Sequence, residues 1–446
     1  MRNKLLPILS ILFILFIFFY PTTDLKAQEV KSQEVKPQEV NYYKDIAVIV
    51  KTHCAPCHNQ EGLAPFSLLS YEDVASRSNF IGYVTKTRYM PPFKADIAFQ
   101  HYKNENTLSA EEIQLIQTWI STGSAKGQKK QRKGDPVTTD IHQKNAPESI
   151  NVNDYDISVG MQKAFKINEL GKEEFRFFYA PLNNGASKMI KSIQFVPGNK
   201  KLVHHSRIMT DTTGSIAGID GISESDTAVY KFQTKPLADN FLFGWVPGND
   251  KIVFPEGTGK KLFQGSNFIF NVHYSPSPII SSDSSFIRIK FTDKPVEREV
   301  ITLTLKEDNI ANLPFIIKAN QMATFYMRSA VLTQDISLIS IMPHMHLLGR
   351  KFKAFAVTPS GDVVQLINIP DWDFNWQMTY TFQNYLYLPK GSVIYAEAQY
   401  DNTIQNERNP NKQPKDVGYG WGTNDEMMNL VIYYVAYKPG DENKPL

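Results

Sequence analysis

The spacing of apolar residues changes once along the chain, near residue 150. Between residues 41 and 125 apolar positions recur at intervals of three and four, which is typical of amphipathic helices. Beyond about residue 150 they alternate with polar positions, which is typical of half-buried strands. The chain therefore combines a small all-α module with a larger all-β region.

The helical module contains two well-marked helices. In "YKDIAVIVKTHC" the residues Ile46 and Ile49 fall on one helical face. In "LSAEEIQLIQTWISTG" the pair Ser109 and Glu112 forms a capping box, and Gly123 ends the helix. The second helix carries an apolar stripe of Ile113, Ile116, Trp119 and Ile120.

The strand pattern is clearest in three segments. "FIRIKF" (286–291), "VITLTLK" (300–306) and "KFKAFAV" (351–357) alternate strictly, and turn sequences such as "PEGTG" punctuate the region. Such strands without a long helical stripe predict two all-β sandwiches, over 151–295 and 296–446.

The N-terminal segment fits neither pattern. The basic start "MRNK", the apolar segment Leu5–Tyr20 and the small residue Ala27 predict a signal peptide over 1–27. The apolar segment is slightly short for a membrane span of about 20 residues, so an uncleaved membrane anchor is the other interpretation. We expect an exported protein of the periplasm or cell envelope. The repeat at 28–40 predicts a spacer, and the apolar-poor stretch 126–150 predicts a linker.

Length and composition narrow the function classes. A chain of 446 residues suggests about two to four domains. Its 48 basic and 45 acidic residues nearly balance, so we expect no nucleic-acid partner. Only two cysteines occur in a chain that is expected to be exported, where cysteines ordinarily form disulfides. Both cysteines therefore need a specific explanation.

The two cysteines lie in "CAPCH" (54–58), the attachment pattern of a c-type haem. Cys54 and Cys57 would bond the haem vinyl groups, and His58 would be one axial ligand. A redox dithiol and half of a zinc site are the alternatives for such a cysteine pair. The helical surroundings favour a small cytochrome c-like domain over 41–125.

The second axial ligand of the haem is expected on a downstream loop. "RYMPPF" offers Met90 on a loop that two prolines stiffen, and His101 is the rival ligand. The Pro-Pro turn resembles the axial-methionine loops of small cytochromes c. This favours Met90 over His101 and over a core methionine.

Five of the nine histidines fall in the all-β region, namely His204, His205, His273, His344 and His346. Strand alternation would point His344 and His346 to the same side. By the same rule His204 and His205 can share an ion only where the backbone bends, and His273 could complete a three-imidazole site. The other pair needs a third ligand, and with no cysteine available a methionine is the candidate. Two imidazoles with a soft thioether favour copper.

Four motifs in order, "HH", "NVHYS", "HMHLLGR" and "GTNDEMMN", resemble the copper type II ascorbate-dependent monooxygenases. The resemblance covers roughly residues 150–440. It implies two jelly-roll-like sandwich domains with one copper ion each, which face each other across a solvent-filled cleft. It also implies that one copper transfers electrons and the other binds O₂.

Carried over residue by residue, the resemblance assigns both copper sites. The electron-transfer site is the three-histidine cluster of His204, His205 and His273. The oxygen-binding site is the His–Met cluster of His344, His346 and Met427. Register with the "DEM" motif favours Met427 over its neighbour Met428.

The substrate end departs from the family. Peptide-amidating members hold a substrate carboxylate with an Arg two residues before the first histidine of the pair and a Tyr four residues after the copper methionine. These positions are Met342 and Val431 here. Two apolar side chains argue against a glycine-extended peptide as the substrate and for a less polar molecule.

The cysteine content also departs from the family. Animal members carry many disulfides, and this chain can form none if both cysteines hold haem.

These observations predict an exported dicopper monooxygenase that hydroxylates a C–H bond of an unidentified small molecule with O₂. Electrons would reach the coppers through the haem from a redox partner protein, with ascorbate as the other candidate donor. The alternative is a non-catalytic copper and haem protein that carries electrons or binds copper, because a fold does not fix a function.

Overall fold

The structure is a computed structural model. It describes residues 40–128 and 154–446, apart from 61, 63, 169–172, 183, 234–239, 247–250, 421 and 423. The predicted signal peptide, the spacer up to residue 39 and most of the predicted linker lie outside the described residues. Within the described ranges, no helix has the length and apolarity that a membrane crossing needs.

The helical module opens with one continuous helix, α1, made of the turns Tyr42–Ile46, Ala47–Ile49 and Val50–Cys54. Its other helices are α2 (Tyr71–Ala75), α3 (Ser78–Lys86) and α4 (Ala110–Ser121). A short helix, α5 (Tyr230–Gln233), lies in the β region. Short 3₁₀ turns occupy Ala217–Ile219, Thr227–Val229, Glu307–Asn309 and Asp441–Asn443.

The sequence signals for α4 are confirmed. Ser109 Oγ accepts a hydrogen bond from the Glu112 N–H, and the Glu112 carboxylate accepts one from the Ser109 N–H. Gly123 takes a φ of +90° just after the helix, a conformation that glycine adopts without strain. Trp119 of the apolar stripe packs with Ile46 of α1 in the core of the module.

The first sandwich contains β1 (Ile157–Gly160), β2 (Phe165–Ile167), β3 (Glu174–Ala180), β4 (Lys188–Val196), β5 (Val203–Asp211), β6 (Phe241–Trp245), β7 (Lys251–Val253), β8 (Thr258–Leu262), β9 (Asn267–Tyr274), β10 (Ser281–Asp283), β11 (Phe286–Phe291) and β12 (Arg298–Glu299). One sheet has the order β1-β11-β4-β8-β12, with β7 beside β4. The facing sheet has the order β3-β9-β5-β6, and β10 pairs with β2.

The second sandwich contains β13 (Ile301–Leu305), β14 (Ile316–Ile317), β15 (Met322–Arg328), β16 (Ile336–Met345), β17 (Gly349–Val357), β18 (Val363–Ile369), β19 (Tyr380–Leu388), β20 (Val393–Asp401), β21 (Val417–Gly418) and β22 (Met428–Ala436). Its sheets have the orders β13-β22-β16-β19 and β15-β20-β17-β18, and β14 pairs with β21. The expected all-β architecture beyond residue 150 is therefore confirmed.

The change from one sandwich to the other falls a few residues after the expected boundary at 295/296. Strand β12 pairs in parallel with β8 of the first sandwich. Strand β13 pairs with β22 of the second. The chain therefore changes sheets between Glu299 and Ile301.

Strand β16 lies between the two cores and is buried along its whole length. Leu338 and Met345 belong to the core of the second sandwich, whereas Ile339 and Met342 belong to the core of the first. A nearly continuous apolar run is typical of a strand that is covered on both faces. One face of the β13-β22-β16-β19 sheet therefore packs against the first sandwich.

Residues 93–106, which we call the strap, fasten the helical module to the second sandwich. Phe93 and Tyr102 belong to the core of that sandwich. The Tyr102 hydroxyl donates to the Leu366 carbonyl at 2.8 Å, and the Lys103 N–H donates to the Thr381 carbonyl at 2.7 Å. The helical module is thus anchored on the second sandwich.

Candidate metal centre

A bulge in β5 brings the three-histidine cluster together. The register of β5 with β9 shifts between Val203 and His205, so His204 is the extra residue, and His205 pairs with His273. A bulge locally reorients side chains, which allows the adjacent histidines to converge. One ring nitrogen from each of His204, His205 and His273 lies within 4.8 Å of the others.

Burial keeps two of the three rings of this cluster, His204 and His205, in the neutral form. His205 Nδ1 lies 3.4 Å from His204 Nδ1 and 3.1 Å from His273 Nδ1. Burial, reinforced by the neighbouring imidazole of His273, lowers the pKa of His204 to about 4 and that of His205 well below its usual value. Neutral imidazole is the form that binds metals, so the donor set fits a transition-metal ion.

Two residues outside the cluster contact the His273 ring, one at Nε2 and one on the face of the ring. Glu173 Oε2 lies 3.2 Å from His273 Nε2, and this interaction lowers the pKa of the Glu173 carboxyl. The Phe175 ring stacks on the imidazole with a centroid distance of 4.0 Å. The stacked Phe175 ring restrains the plane of the imidazole, and His273 Nδ1 faces His205 within the cluster.

A buried ion pair lies beside the cluster on the same sheet. Arg207, two residues after His205, donates to Asn271 Oδ1 at 2.7 Å and to Glu224 Oε1 at 2.7 Å. Asn271 in turn lies two residues before His273. The hydrogen bond between Arg207 and Asn271 therefore joins the two strands that carry the histidines.

The register of β16 with β22 indicates on which face of the sheet each candidate methionine lies. His344 pairs with Asn429, and Met345 pairs with Met428. Because side chains alternate, Met428 lies with Met345 in the core of the second sandwich, whereas Met427 belongs to the face of the histidines. The geometry therefore favours Met427 over Met428 as the thioether ligand.

The two histidines of the His–Met cluster each have one anchored nitrogen. His344 Nδ1 donates to Gln377 Oε1, and His346 Nδ1 donates to the Asp425 carbonyl at 3.0 Å. The ring centroids of His344 and His346 are 5.0 Å apart. His344 Nε2 is buried and has no hydrogen-bond partner, which is costly unless a ligand binds it.

Burial also keeps this pair neutral. It lowers the pKa of His346 to about 4, and it lowers the pKa of His344 well below the usual value with the help of His346. With Nδ1 protonated, the lone pair of each ring is on Nε2. Two such nitrogens and a thioether are a donor set that suits copper.

Glu426 connects the two segments that carry these ligands. Its carboxylate is fully buried and accepts hydrogen bonds from the His346 N–H at 3.0 Å, the Leu348 N–H at 2.6 Å and the Met427 N–H at 3.2 Å. Burial raises the pKa of Glu426 to about 8, although the three N–H groups oppose that rise. One side chain thus fixes the end of β16 relative to the start of β22.

The Phe374 ring touches both clusters. Its centroid lies 5.6 Å from that of His205, 6.2 Å from that of His273 and 5.9 Å from that of His346. The resemblance implied a solvent-filled cleft between the sites. An aromatic ring occupies part of that space here, because the segment after β18 places Phe374 against both sheets.

The positions expected to face substrate are closed by packing. Met342 pairs with Val431 across β16 and β22, and both belong to the core of the first sandwich. A Cβ at Gly244 would lie only 3.0 Å from Met342 Sδ, which shows how closely the sandwiches approach there.

The "CAPCH" residues lie on one side of a helical turn. The His58 N–H donates to the Cys54 carbonyl at 2.9 Å, and residues three and four apart on a helix are neighbours. Cys54 and Cys57 are not joined in a disulfide, and burial raises the pKa of Cys54 to about 12. His58 Nδ1 donates to the Phe66 carbonyl at 3.0 Å, which leaves Nε2 for a ligand. These donors fit a covalently attached haem.

The two rivals for the second axial position differ in their surroundings. Met90 is partly buried on the loop after α3, and its N–H donates to the Val84 carbonyl at 3.0 Å. His101 is 60% exposed on the strap, and its Nδ1 lies 3.0 Å from Glu105 Oε1. The greater exposure of His101 favours Met90, because an axial ligand of a buried haem is itself covered.

Several residues that hold these sites were missed by the sequence reasoning: Glu173, Arg207, Phe374, Gln377 and Glu426. Arg207 carries a signal, because it lies two positions after a candidate ligand on the same strand face. Glu426 lies inside a motif that was used only for its methionine. The other three come close to the clusters through tertiary contacts alone.

One part of the chain, within the second sandwich, is similar to a known protein family. Residues 302–443 match the family model of the copper type II ascorbate-dependent monooxygenase C-terminal domain. The match contains the His–Met cluster and Glu426. It supports this family of copper- and ascorbate-dependent oxidoreductases for the second sandwich.

The other comparisons add no argument. A structure of the infectious bursal disease virus Gx strain shares 7% identity over 65% of this chain and 73% of that chain, with a TM-score of 0.18. The major capsid protein P2 of bacteriophage PM2 shares 8% identity over 64% of this chain and 99% of that chain, with a TM-score of 0.24. No curated protein matches this chain.

Proposed function

We propose that this chain is an exported copper monooxygenase that hydroxylates a C–H bond of a small molecule. The observation that carries the proposal is the His–Met cluster, which lies in the part of the chain that matches the monooxygenase family. The reaction takes the substrate, O₂, two electrons and two protons, and it gives the hydroxylated product and water.

Copper bound to His344, His346 and Met427 would supply the reduction of O₂ and the removal of the substrate hydrogen, since a thioether suits the reduced ion. The chain itself orients the ligands. Gln377 holds one ring, the Asp425 carbonyl holds the other, and buried Glu426 fixes both ligand segments.

The three-histidine cluster would hold the second copper, which stores the second electron. The convergence of its three ring nitrogens and the lowered pKa values of His204 and His205 support this assignment. The Phe374 ring contacts His205 and His346, so it takes up space beside both clusters that water would otherwise occupy.

We extend the proposal to the helical module. Cys54 and Cys57 would carry the haem covalently, with His58 and Met90 as axial ligands. The strap holds this module on the second sandwich, so the haem would be a fixed relay for electrons from a redox partner protein or from ascorbate. Replacing both cysteines with alanine should abolish the covalent c-type haem spectrum, and covalent haem in that variant would contradict this assignment.

The structure also bears on the substrate. Met342 and Val431 lie in an apolar interface, where a carboxylate would lose its hydration without a charged partner. A glycine-extended peptide is therefore a poor candidate, and a small, less polar molecule is a better one.

The proposal is tested by loading the full chain with copper, reducing it anaerobically with ascorbate and admitting ¹⁸O₂ with a panel of small apolar molecules. Mass spectrometry should find one ¹⁸O atom in a product, and the His344→Ala variant should form none. Reduced copper that reoxidises without labelled product from any compound would favour the alternative, a non-catalytic electron carrier.

A further inference from the structure

A cavity of about 370 Å³ lies where all three parts of the chain meet. Tyr89 of the helical module, Glu173 of the first sandwich and several residues of the second form its wall. From the second sandwich the wall includes Leu347, Trp372, Asp373, Phe374 and Arg408. The volume falls within the usual range of about 300–1,000 Å³ for small-molecule sites.

The inner wall of this cavity adjoins both metal clusters. Leu347 directly follows His346 in the chain. Phe374 has its ring centroid 5.9 Å from that of His346 and 5.6 Å from that of His205. A molecule in the cavity would therefore be one side chain away from either site.

The basic group of the wall already has partners. The Arg408 guanidinium lies 3.6 Å from the Asp371 carboxylate and donates to the Trp372 carbonyl. A substrate carboxylate would have to compete with both of these acceptors.

The acidic groups of the wall are paired as well. Glu173 Oε2 lies 3.2 Å from His273 Nε2. Asp373 Oδ1 accepts hydrogen bonds from the Asn375 N–H and side-chain amide, and its Oδ2 lies 3.7 Å from Lys94 Nζ. Each charged group that the structure describes in this wall thus already has a polar partner within the protein, while Tyr89, Trp372 and Phe374 contribute aromatic side chains.

We propose that this cavity is the substrate site and that it selects an uncharged molecule built on a small ring. A charged substrate would lose hydration on entering without finding a free counter-charge, whereas a neutral ring gains contact with the three aromatic side chains. This inference rests on the proposed function, which it deepens by naming the substrate class.

The test uses the full chain without copper, so that binding is measured apart from turnover. Equilibrium dialysis compares three probes of one shape, namely neutral indane, cationic 2-aminoindane and anionic indane-2-carboxylate. Indane should bind at least about tenfold more tightly than either ion, because only the ions lose hydration without compensation. Equal or tighter binding of an ion would overturn the proposal.

Variants locate the bound probe. Tyr89→Ala removes one wall and should weaken indane binding by about fivefold. Tyr83→Ala, a matched control at a side chain that is 67% exposed and outside the wall, should leave it unchanged. Indane affinity that is the same in both variants would place the probe elsewhere and overturn the assignment.

Arg408→Gln distinguishes a neutral site from an anion site. Because Arg408 is already paired, indane binding should change by less than about twofold. Tight binding of indane-2-carboxylate that this variant abolishes would mean that the cavity recognises anions. Indane binding that depends on Tyr89, in a protein that never forms a labelled product, would support the cavity and contradict the monooxygenase.

Discussion

Each ring of the His–Met cluster has one nitrogen anchored and one left available, and this division determines what the site can bind. Gln377 Oε1 and the Asp425 carbonyl accept hydrogen bonds from the Nδ1–H groups. Burial keeps the rings neutral at physiological pH. The residue types and their spacing predicted the pair, because strand alternation depends on sequence separation alone.

The thioether is the ligand whose loss should affect the reduced state most. Met427→His replaces a soft donor with a nitrogen, so we expect the variant to keep copper and to lose its reaction with O₂. Copper content and O₂ consumption after anaerobic reduction measure the two effects separately.

Met428→Leu is the matched control, because Met428 lies in the core of the second sandwich. Its volume is nearly conserved, so the free energy of unfolding should fall by less than about 1.5 kcal/mol, with copper and O₂ reactivity retained. Loss of turnover in Met428→Leu together with normal turnover in Met427→His would show that Met428, and not Met427, is the thioether ligand.

Glu426 is a positioning residue, since it reaches the copper ligands only through backbone N–H groups. Glu426→Gln offers one acceptor oxygen where the carboxylate offers two, so at least one buried N–H loses its partner. We expect about 1–3 kcal/mol of lost stability and an altered Cu(II) electron paramagnetic resonance spectrum. Glu426→Asp, which keeps both oxygens, should restore part of the spectrum, and a wild-type spectrum in Glu426→Gln would contradict the positioning role.

At the level of elements, two local features assemble the site. The bulge at His204 converts neighbours that ordinarily face opposite ways into parts of one cluster. The sequence predicts a bend at this position only on the condition that the two histidines share an ion. The geometry of the bend depends on how β5 pairs with β9. Gln377 and Phe374 approach the clusters only through tertiary packing, so they leave no periodic signal in the sequence.

The strap is the element that the sequence did not indicate. It forms no helix or extended strand, yet Tyr102 is buried and donates to Leu366 of β18. Tyr102→Phe leaves the Leu366 carbonyl without this donor and should cost about 1–3 kcal/mol in the free energy of unfolding.

Urea denaturation measures that cost, with Tyr83→Phe as control. Tyr83 is 67% exposed, so its variant should stay within about 0.5 kcal/mol of the wild type. A Tyr102→Phe protein as stable as its control would show that the strap does not anchor the helical module.

For the whole molecule, the contact between the sandwiches is part of the functional architecture. It closes the region around Met342 and Val431 and brings a histidine of each cluster into contact with Phe374. The two sandwiches could be predicted from strand patterns. Their mutual packing could not, because side chains that cover an interface have the same apolar character as those in a core.

Lys260 lies in this contact, and it makes the stability of the protein dependent on pH. Its Nζ donates to Thr302 Oγ1 at 2.5 Å across the interface, and burial lowers its pKa from 10.5 to about 8. Between these pH values the unfolded chain holds a proton that the folded chain has lost, so the free energy of unfolding should rise with pH by about 1–3 kcal/mol.

Urea titrations at pH 7.5 and 10.5 of the wild type and Lys260→Met isolate this effect. The variant should be the more stable protein at pH 7.5, and the advantage should shrink at pH 10.5. A difference between the two proteins that does not change with pH would show that Lys260 is protonated in the folded state.

The central claim is that two separate clusters each hold one copper ion, and metal analysis of the purified full chain tests it most directly. We expect about two copper ions per chain in the wild type and about one in each of His205→Ala and His344→Ala, because each variant removes one of three protein ligands from a different site. The double variant should hold almost none. Tight zinc at one site with no metal at the other, or single variants that keep both copper ions, would contradict the account.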